Sequence, residues 1–466
     1  QAGATVRYTS RWMNGALINA DADVLARVRQ LSFIKKSTSP TLLNVNLKGT
    51  GMHGNSLKSA QTVEIDYGNS LLQNTMLGID RMHAAGFTGH GVHIAVLDGG
   101  FLVADQLTVF REMFQNGRLL GTYDFVRQQT GVFDASRHGT QVLSALAGYR
   151  PGALVGPAFE SSFWLFRTED ERTEYRVEEV NWLVAAERAD SAGVDIIQSS
   201  LGYTTFDDPA MDYRPADMNG RTAFVTNAAR MAAATGMLVV VSAGNEGNDP
   251  WRTLSAPADA DSVLAVAAVD RFRLRADLSS VGRKMPNGRV KPDLAAQGVG
   301  VAVTSTQDNT TVQTGTSFSA PLVAGLAAGL WQAFPQLTNV QLICYLQRSG
   351  SQAASPDTLL GYGIPNFERA YRLVRRETDP GAPLGHLAPN PVAANEMTLY
   401  LKLTETSQPL DLQFYDVQGR LLHSQTIRRA ESENRVPLPV ALQRPGVYMV
   451  RIGNQNRRET LRLVVL

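Results

Sequence analysis

Apolar and polar positions along the chain follow three successive patterns. Over residues 1–36 the pattern is short and mixed. Val6–Tyr8 and Ala16–Ile18 read as extended, Asp21–Gln30 as a short helix with Asp21 or Asp23 as its cap, and Leu31–Ile34 as another strand. This is half of a small α+β unit. Residues 37–66, rich in Ser, Thr, Asn and Gly, carry no period and read as a connector open to processing.

From Tyr67 the chain alternates between buried strands and helices. Val92–Leu97, Phe163–Phe166, Val194–Gln198, Leu238–Ser242 and Val263–Val269 are short, nearly all-apolar runs of the kind that sit inside a parallel sheet with both faces covered. Between them Val180, Leu183 and Val184 mark one face of a helix that Gly193 stops, and Ala223–Thr235 predicts another. Strand–helix–strand alternation implies an α/β fold built on a parallel sheet, spanning 67–376. In such sheets, binding sites gather at the carboxyl ends of the strands. Asp98, Ser200 with Leu201, and Asn245 each lie just beyond one of these predicted ends.

The third period begins after a break. Residues 377–391 hold Pro380, Pro383, Pro389 and Pro391 among Asp379, Gly381 and Gly385, and read as a linker. Beyond it the alternation is strictly two: Leu399/Leu401/Leu403, Leu410/Leu412/Phe414, Tyr448/Val450/Ile452 and Leu461/Leu463/Val465. Turn signals at Gln418-Gly419 and Pro445-Gly446 separate these runs, so residues 392–466 predict a small all-β sandwich.

Composition narrows the function classes. A net charge of +1 without any basic stripe argues against a nucleic-acid partner. The longest apolar windows, Leu238–Val241 and Ala320–Leu330, fall short of a membrane span, so no transmembrane segment is expected. Cys344 is the single cysteine, which rules out an internal disulfide. A start at Gln1 without a charged-then-apolar leader is read as the mark of a leader already removed.

The candidate chemistry centres on Gly315-Thr316-Ser317-Phe318-Ser319-Ala320-Pro321, which opens an apolar, small-residue helix. A helix start supplies unpaired N–H groups and a partial positive charge beside the serine oxygen, although a serine there is also a common cap. Hydrolysis through a serine further needs a base, an acid that orients the base, and donors for an oxyanion. Of seven histidines, His138 stands at another helix start, in His138-Gly139-Thr140, where the glycine permits close approach; the other six read as surface or structural imidazoles. Asp98 ends an apolar strand, where a carboxylate needs a partner, and Asn245 in Ala243-Gly244-Asn245 offers an amide donor.

These four signals occur in the order Asp98, His138, Asn245, Ser317, and with their motifs the stretch 67–376 resembles the subtilisin-like serine peptidases, the subtilases. The α/β-hydrolases instead run serine, acid, histidine around Gly-x-Ser-x-Gly. The resemblance implies that Asp98 orients His138, that His138 is general base and then general acid, and that Ser317 forms the acyl-enzyme. It further implies an oxyanion hole from Asn245 and the Ser317 N–H. Ser200, Leu201 and Gly202 resemble the segment that pairs with substrate as an added strand, and Ala243 and Gly244 the wall of the pocket for the residue before the scissile bond. Arg137 and Gln141 depart from the family around His138, and Gly100-Phe101 is bulkier than usual after Asp98.

The flanks resemble parts of the same family. Residues 6–36 are similar to the tail half of a subtilase propeptide. Pro389-Asn390-Pro391-Val392, Tyr415-Asp416-Val417-Gln418-Gly419-Arg420 and Pro445-Gly446-Val447-Tyr448 resemble the C-terminal sorting domains of the Bacteroidota type IX secretion system. The implied protein is a secreted or cell-surface serine endopeptidase that passes through the periplasm. It acts on protein or peptide substrates and meets the type IX machinery through its tail. The alternative from another class is a non-catalytic surface binding or adhesion protein on a subtilase scaffold. No cofactor or catalytic metal is required. A structural calcium ion is compatible with the family, with Asp207, Asp208 and Asp212 as its candidate ligands. The acidic run Glu169, Asp170, Glu171, Glu174, Glu178, Glu179 is read as a solvated helix face, one that would favour basic substrates only if it lined the cleft.

Overall fold

A computed structural model describes residues 4–31, 34, 65–285, 288–378, 385–388, 392–393, 398–403, 409–427, 434–437, 442, 444–453 and 458–466. The chain divides into two compact units, Gln1–Tyr371 and Arg372–Leu466.

The first unit opens with an antiparallel pair, β1 (Thr5–Ser10) and β2 (Gly15–Asn19), followed by α1 (Ala22–Arg29). Asp21 caps α1 by accepting the Val24 N–H at 2.7 Å, which decides between the two cap candidates. The strand expected over Leu31–Ile34 and the connector over 37–66 lie largely outside the described residues. Two short helices follow, α2 (Leu71–Leu77) and α3 (Ile79–Ala84), then β3 (His93–Asp98), α4 (Arg111–Gln115) and β4 (Leu119–Asp124). Next come α5 (Arg137–Ala147), a short hairpin of β5 (Tyr149–Arg150) and β6 (Leu154–Val155), β7 (Ser162–Arg167), α6 (Val177–Ser191), β8 (Ile196–Ser199) and α7 (Phe224–Ala234). The unit closes with β9 (Leu238–Ser242), β10 (Leu264–Val269), β11 (Leu294–Gln297), the hairpin β12 (Val301–Thr304) and β13 (Thr310–Gln313), α8 (Thr316–Ala333), α9 (Asn339–Arg348) and α10 (Phe367–Thr378).

Seven strands form one parallel sheet in the order β11-β10-β9-β8-β3-β7-β4. The five predicted strands are its five inner members. The two edges, β4 and β11, were not read from the sequence, because Leu119–Asp124 is interrupted by Gly121 and polar positions and Leu294–Gln297 is only four residues long. Every residue of β9 and β10 is buried, as their unbroken apolar runs require. The order places β3 where the connections diverge: β7 and β4 lie to one side of it, β8 to β11 to the other. Asp98 therefore ends its strand at the topological switch point, where a parallel sheet leaves a crevice. The helix α8 is buried from Thr316 through Leu330, which explains why its sequence shows no polar face.

The N-terminal pair rests on this unit. Tyr8 packs against Phe125 with ring centroids 6.0 Å apart and donates its hydroxyl to the Phe125 carbonyl. Ser10 donates to Glu187 on α6, and the backbone N–H groups of Arg11 and Trp12 donate to the same carboxylate at 3.1 and 3.3 Å.

In the second unit the described strands are β14 (Gly385–Ala388), β15 (Thr398–Leu403), β16 (Leu410–Tyr415), β17 (Leu421–Ile427), β18 (Asn434–Pro437), β19 (Gly446–Gly453) and β20 (Arg458–Val465). They form two antiparallel sheets, β14-β15-β18 and β17-β16-β19-β20. All four predicted runs are strands here, and Leu412, Phe414, Val450, Ile452, Leu463 and Val465 share one buried cluster. The stretch 377–391, read as linker for its prolines, contains β14, which pairs with β15 from Gly385↔Leu403 to Ala388↔Tyr400. Its four residues fit between Pro383 and Pro389, so proline spacing there permits an edge strand.

Candidate active site

Three strand ends and two helix starts build the site. Asp98 is fully buried at the end of β3. Its Oδ1 accepts the Gly99 N–H at 2.8 Å, and its two oxygens lie 2.9 and 3.1 Å from His138 Nδ1. With Nδ1–H committed to the carboxylate, the neutral imidazole carries its lone pair on Nε2. Burial opposes the imidazolium, but the charge and hydrogen bond of Asp98, and the more distant charge of Glu171, outweigh it and hold His138 above its ordinary 6.5.

The position of His138 depends on two neighbours. Gly139 is one of them. A Cβ there would lie 2.2 Å from the Gly100 carbonyl oxygen and 2.9 Å from Asp98 Cβ, so only glycine lets the start of α5 reach the end of β3. The other is Ser136, which sequence reasoning missed. It caps α5 by accepting the His138 N–H at 3.0 Å, adopts a positive φ of 41°, and donates its hydroxyl to Glu171. Arg167, also missed, braces the turn after Asp98: its Nε donates to the carbonyls of Gly99 and Glu169 at 3.0 and 3.1 Å, and its Nη1 pairs with buried Asp124 at 2.9 Å.

Ser317 is the second residue of α8 and nearly buried. Its Oγ donates to the Ser200 carbonyl at 3.3 Å. The ring of the next residue, Phe318, lies 5.7 Å from that of His138, which brings the two helix starts together. Pro321 explains a second link. Lacking an N–H, it leaves the Ser317 carbonyl without its partner four residues on, and the Ser200 hydroxyl fills that place at 2.7 Å. Ser200 is held in turn by Gln198, whose Nε2 donates to its hydroxyl at 2.6 Å. The end of β8 is thus tied to the backbone of Ser317.

Asn245 is oriented by Thr316. Its Oδ1 accepts the Thr316 N–H at 2.9 Å and lies 3.0 Å from the Thr316 hydroxyl. The amide oxygen is thereby occupied, and Nδ2 makes no hydrogen bond among the described residues. The Thr316 N–H is consequently spent, whereas the Ser317 N–H belongs to the first helical turn, whose donors have no partner within the helix. Ala243 and Gly244 are buried beside this turn, with the Ser280 N–H donating to the Gly244 carbonyl at 3.1 Å. Ser200, Leu201 and Gly202 line a cavity of about 190 Å³ together with Asp98, Gly99, His138, Glu169, Asp170, Glu171 and Glu174.

That lining corrects the reading of the acidic run as a solvated helix face. Glu178 and Glu179 stand in the first turn of α6 but are 2% and 0% exposed. Glu178 accepts the N–H groups of Asp170 at 2.9 Å and Tyr175 at 3.3 Å, and Glu179 accepts that of Val225 at 3.0 Å, so both serve as buried backbone acceptors. Glu169, Asp170, Glu171 and Glu174 lie in the loop before α6 and face the cavity. Asp208 and Asp212 accept the N–H groups of Ala210 and Phe206 within their own loop, and Asp207 accepts that of Glu174 in the loop before α6. Among the described residues the three carboxyls close enough to share one ion are Glu169, Glu174 and Glu178. His83, one of the imidazoles set aside, is buried between the Tyr67 hydroxyl at 2.7 Å and the Pro157 carbonyl at 2.9 Å, and burial pushes it down to about 4.

The model of the Subtilase family matches residues 89–363, more than half of the chain. The chain belongs to the subtilase family. Its flanks match two further models, the Peptidase S8 propeptide domain of Bacteroidota over residues 1–55 and the Secretion system C-terminal sorting domain over residues 386–466. Subtilisin from Bacillus pumilus is 28% identical over 293 residues, 62% of this chain and 94% of the relative. Subtilisin NAT from Bacillus subtilis subsp. natto is 28% identical over the same length, 62% of this chain and 68% of the relative. Two solved structures share the fold: MycP1 with its N-terminal propeptide removed (TM-score 0.51, 23% identity, 64% of this chain and 96% of that one) and the MycP3 protease of the type VII (ESX-3) secretion system (TM-score 0.51, 22% identity, 66% and 89%). This subtilase is a serine endopeptidase, and its sorting domain marks it for the cell surface or the exterior. No helix among the described residues is long and apolar enough to cross a membrane.

Proposed function

We propose that this subtilase cleaves peptide bonds through an acyl-enzyme on Ser317. His138 takes the hydroxyl proton as general base and returns it to the leaving amine as general acid, while Asp98 holds the ring and stabilises the imidazolium. Asn245 Nδ2 and the Ser317 N–H donate to the oxyanion, a pair whose amide member is worth about 10²- to 10³-fold in a subtilisin that serves as the general example. An extended substrate lays its backbone along Ser200–Gly202, and Ala243 and Gly244 wall the pocket for the residue before the cleaved bond.

The observation that carries this reading is the 2.9 Å contact between His138 Nδ1 and buried Asp98 in the lining of a cleft whose Ser200 carbonyl accepts the Ser317 hydroxyl. The Ser317 proton rests on the Ser200 carbonyl, and its transfer to Nε2 requires the hydroxyl to swing off that 3.3 Å bond, as substrate entry along Ser200 favours. Water, deprotonated by the same His138, then hydrolyses the acyl-enzyme and restores the Ser317 hydroxyl; this reading requires no cofactor. The tail, over roughly the span its family model matches, engages the type IX machinery in this reading.

The test is covalent. A fluorophosphonate should label Ser317, and Ser317→Ala should lose both the label and casein hydrolysis. A properly folded chain that takes no label and cleaves neither casein nor peptides would instead be the non-catalytic surface binding scaffold.

A further inference from the structure

The cavity that Ser200–Gly202 line also holds carboxylates that no lysine or arginine pairs with among the described residues. Glu169 is 7% exposed, and its Oε1 accepts the Tyr203 and Thr168 hydroxyls, while Oε2 accepts no hydrogen bond among the described residues. The Glu174 carboxylate, half-buried, accepts none either. Oxygens of Glu169, Glu174 and Glu178 lie within 4.8 Å of one another. Among the described residues no lysine or arginine forms an ion pair with any of the three; Arg167 and Arg172 are engaged by Asp124 and Asp170. Burial and mutual repulsion push Glu174 up to about 8 and Glu178 up to about 7. Clustered carboxylates without a counter-charge are stabilised by whatever cation enters.

The cavity decides which cation has access. Glu169, Glu174, Asp170 and Glu171 line the same space as His138 and Ser200–Gly202, so a chain lying along Ser200–Gly202 points side chains at this wall. We propose that the carboxylates of Glu169 and Glu174 form a specificity subsite for a lysine or arginine side chain of the substrate, carried on the amino-terminal side of the scissile bond. The assignment rests on the peptidase reading of this cleft. A cationic side chain there forms charge-assisted hydrogen bonds to Glu169 Oε2 and Glu174, and takes up the charge that the cluster otherwise stores as protons.

The experiment uses the full chain and matched fluorogenic peptides. Each carries lysine, arginine, norleucine or glutamate at one of the three positions preceding the residue at the cleaved bond. At one of these positions the lysine and arginine peptides should exceed the norleucine peptide in kcat/KM by about tenfold, and Glu174→Gln should cut that ratio to about threefold or less. Glu169→Gln should act in the same direction; should its burial prevent folding, half-buried Glu174 carries the test. Equal cleavage of lysine and norleucine peptides by the wild type overturns the subsite and leaves the peptidase reading intact. A preference that survives Glu174→Gln and Glu169→Gln overturns it too. No cleavage of any peptide removes the peptidase reading and the subsite with it. A calcium-dependent rise in Tm lost in both variants, with lysine and norleucine cleaved alike, would make the cluster a metal site and overturn the assignment.

Discussion

Gly139→Ala tests the packing that brings His138 to Asp98. The added methyl would lie 2.2 Å from the Gly100 carbonyl oxygen, 2.9 Å from Asp98 Cβ and 3.0 Å from Asp98 Cγ. Two of these are side-chain atoms of Asp98 and the third is backbone, so no flexible chain end can yield. Opening the shortest contact to 3.0 Å needs about 0.8 Å of separation between the start of α5 and the turn after β3. Most of that movement falls on the 2.9 Å contact between His138 Nδ1 and Asp98. A displacement of about 1 Å at a reacting group costs on the order of 10²-fold, so kcat/KM should fall by about that factor, close to 2.7 kcal/mol of transition-state stabilisation. Helix propensity argues the other way, since Gly→Ala inside a helix gains up to about 1 kcal/mol where the backbone accepts it. The assay therefore pairs kcat/KM, corrected by fluorophosphonate titration of active sites, with Tm measured in a Ser317→Ala background that avoids self-digestion. A variant with kcat/KM within about threefold of wild type and an unchanged or higher Tm would show that the junction relaxes freely, and would refute the argument.

Two further perturbations probe charge. His138 is held above 6.5, and in the proposed role of base it must be neutral, so the acid limb of the kcat/KM profile should fall above 6.5 and move to lower pH when Glu171→Gln removes one of the charges that favour the imidazolium; a limb that stays put or rises would exclude Glu171 from tuning His138. Lys291 and Asp293 are both fully buried and 2.6 Å apart, with Arg289 contacting the other Asp293 oxygen, so Asp293→Asn should cost roughly 3–5 kcal/mol in urea unfolding of the Ser317→Ala protein by leaving cations without their counter-charge. A loss under about 1 kcal/mol would mean the cations find water or another acceptor.

The fold was legible where burial is complete. β9 and β10 are covered on both faces, so Leu238–Val241 and Leu264–Val269 are apolar throughout, and their runs announced them. The edge strands β4 and β11 were not legible. An edge needs no continuous apolar run, and β4 spends Tyr123 and Asp124 on contacts that a period cannot encode. The tail showed the same division: β16, β19 and β20 supply most of its core and alternate cleanly, whereas β17, with no fully buried residue, was missed.

In the site, legibility followed the range of the physical demand. Gly139 and Pro321 meet local requirements, the absence of a Cβ and the absence of an N–H, and such requirements are readable from single residues close to His138 and Ser317 in the sequence. Ser136 and Arg167 act through partners 35 and 43 residues away, Glu171 and Asp124, and no spacing rule links such pairs. The acidic run misled for a related reason. Charge alone predicts solvent, yet Glu178 and Glu179 are buried because backbone N–H groups from Asp170, Tyr175 and Val225 converge on them, a supply visible only once α6, its preceding loop and α7 are assembled. Glu169 and Glu174 receive no such supply. The loop that carries them leaves carboxylates lining the cavity, and under the proposed subsite it is this wall, rather than the residues around Ser317, that distinguishes one substrate from another.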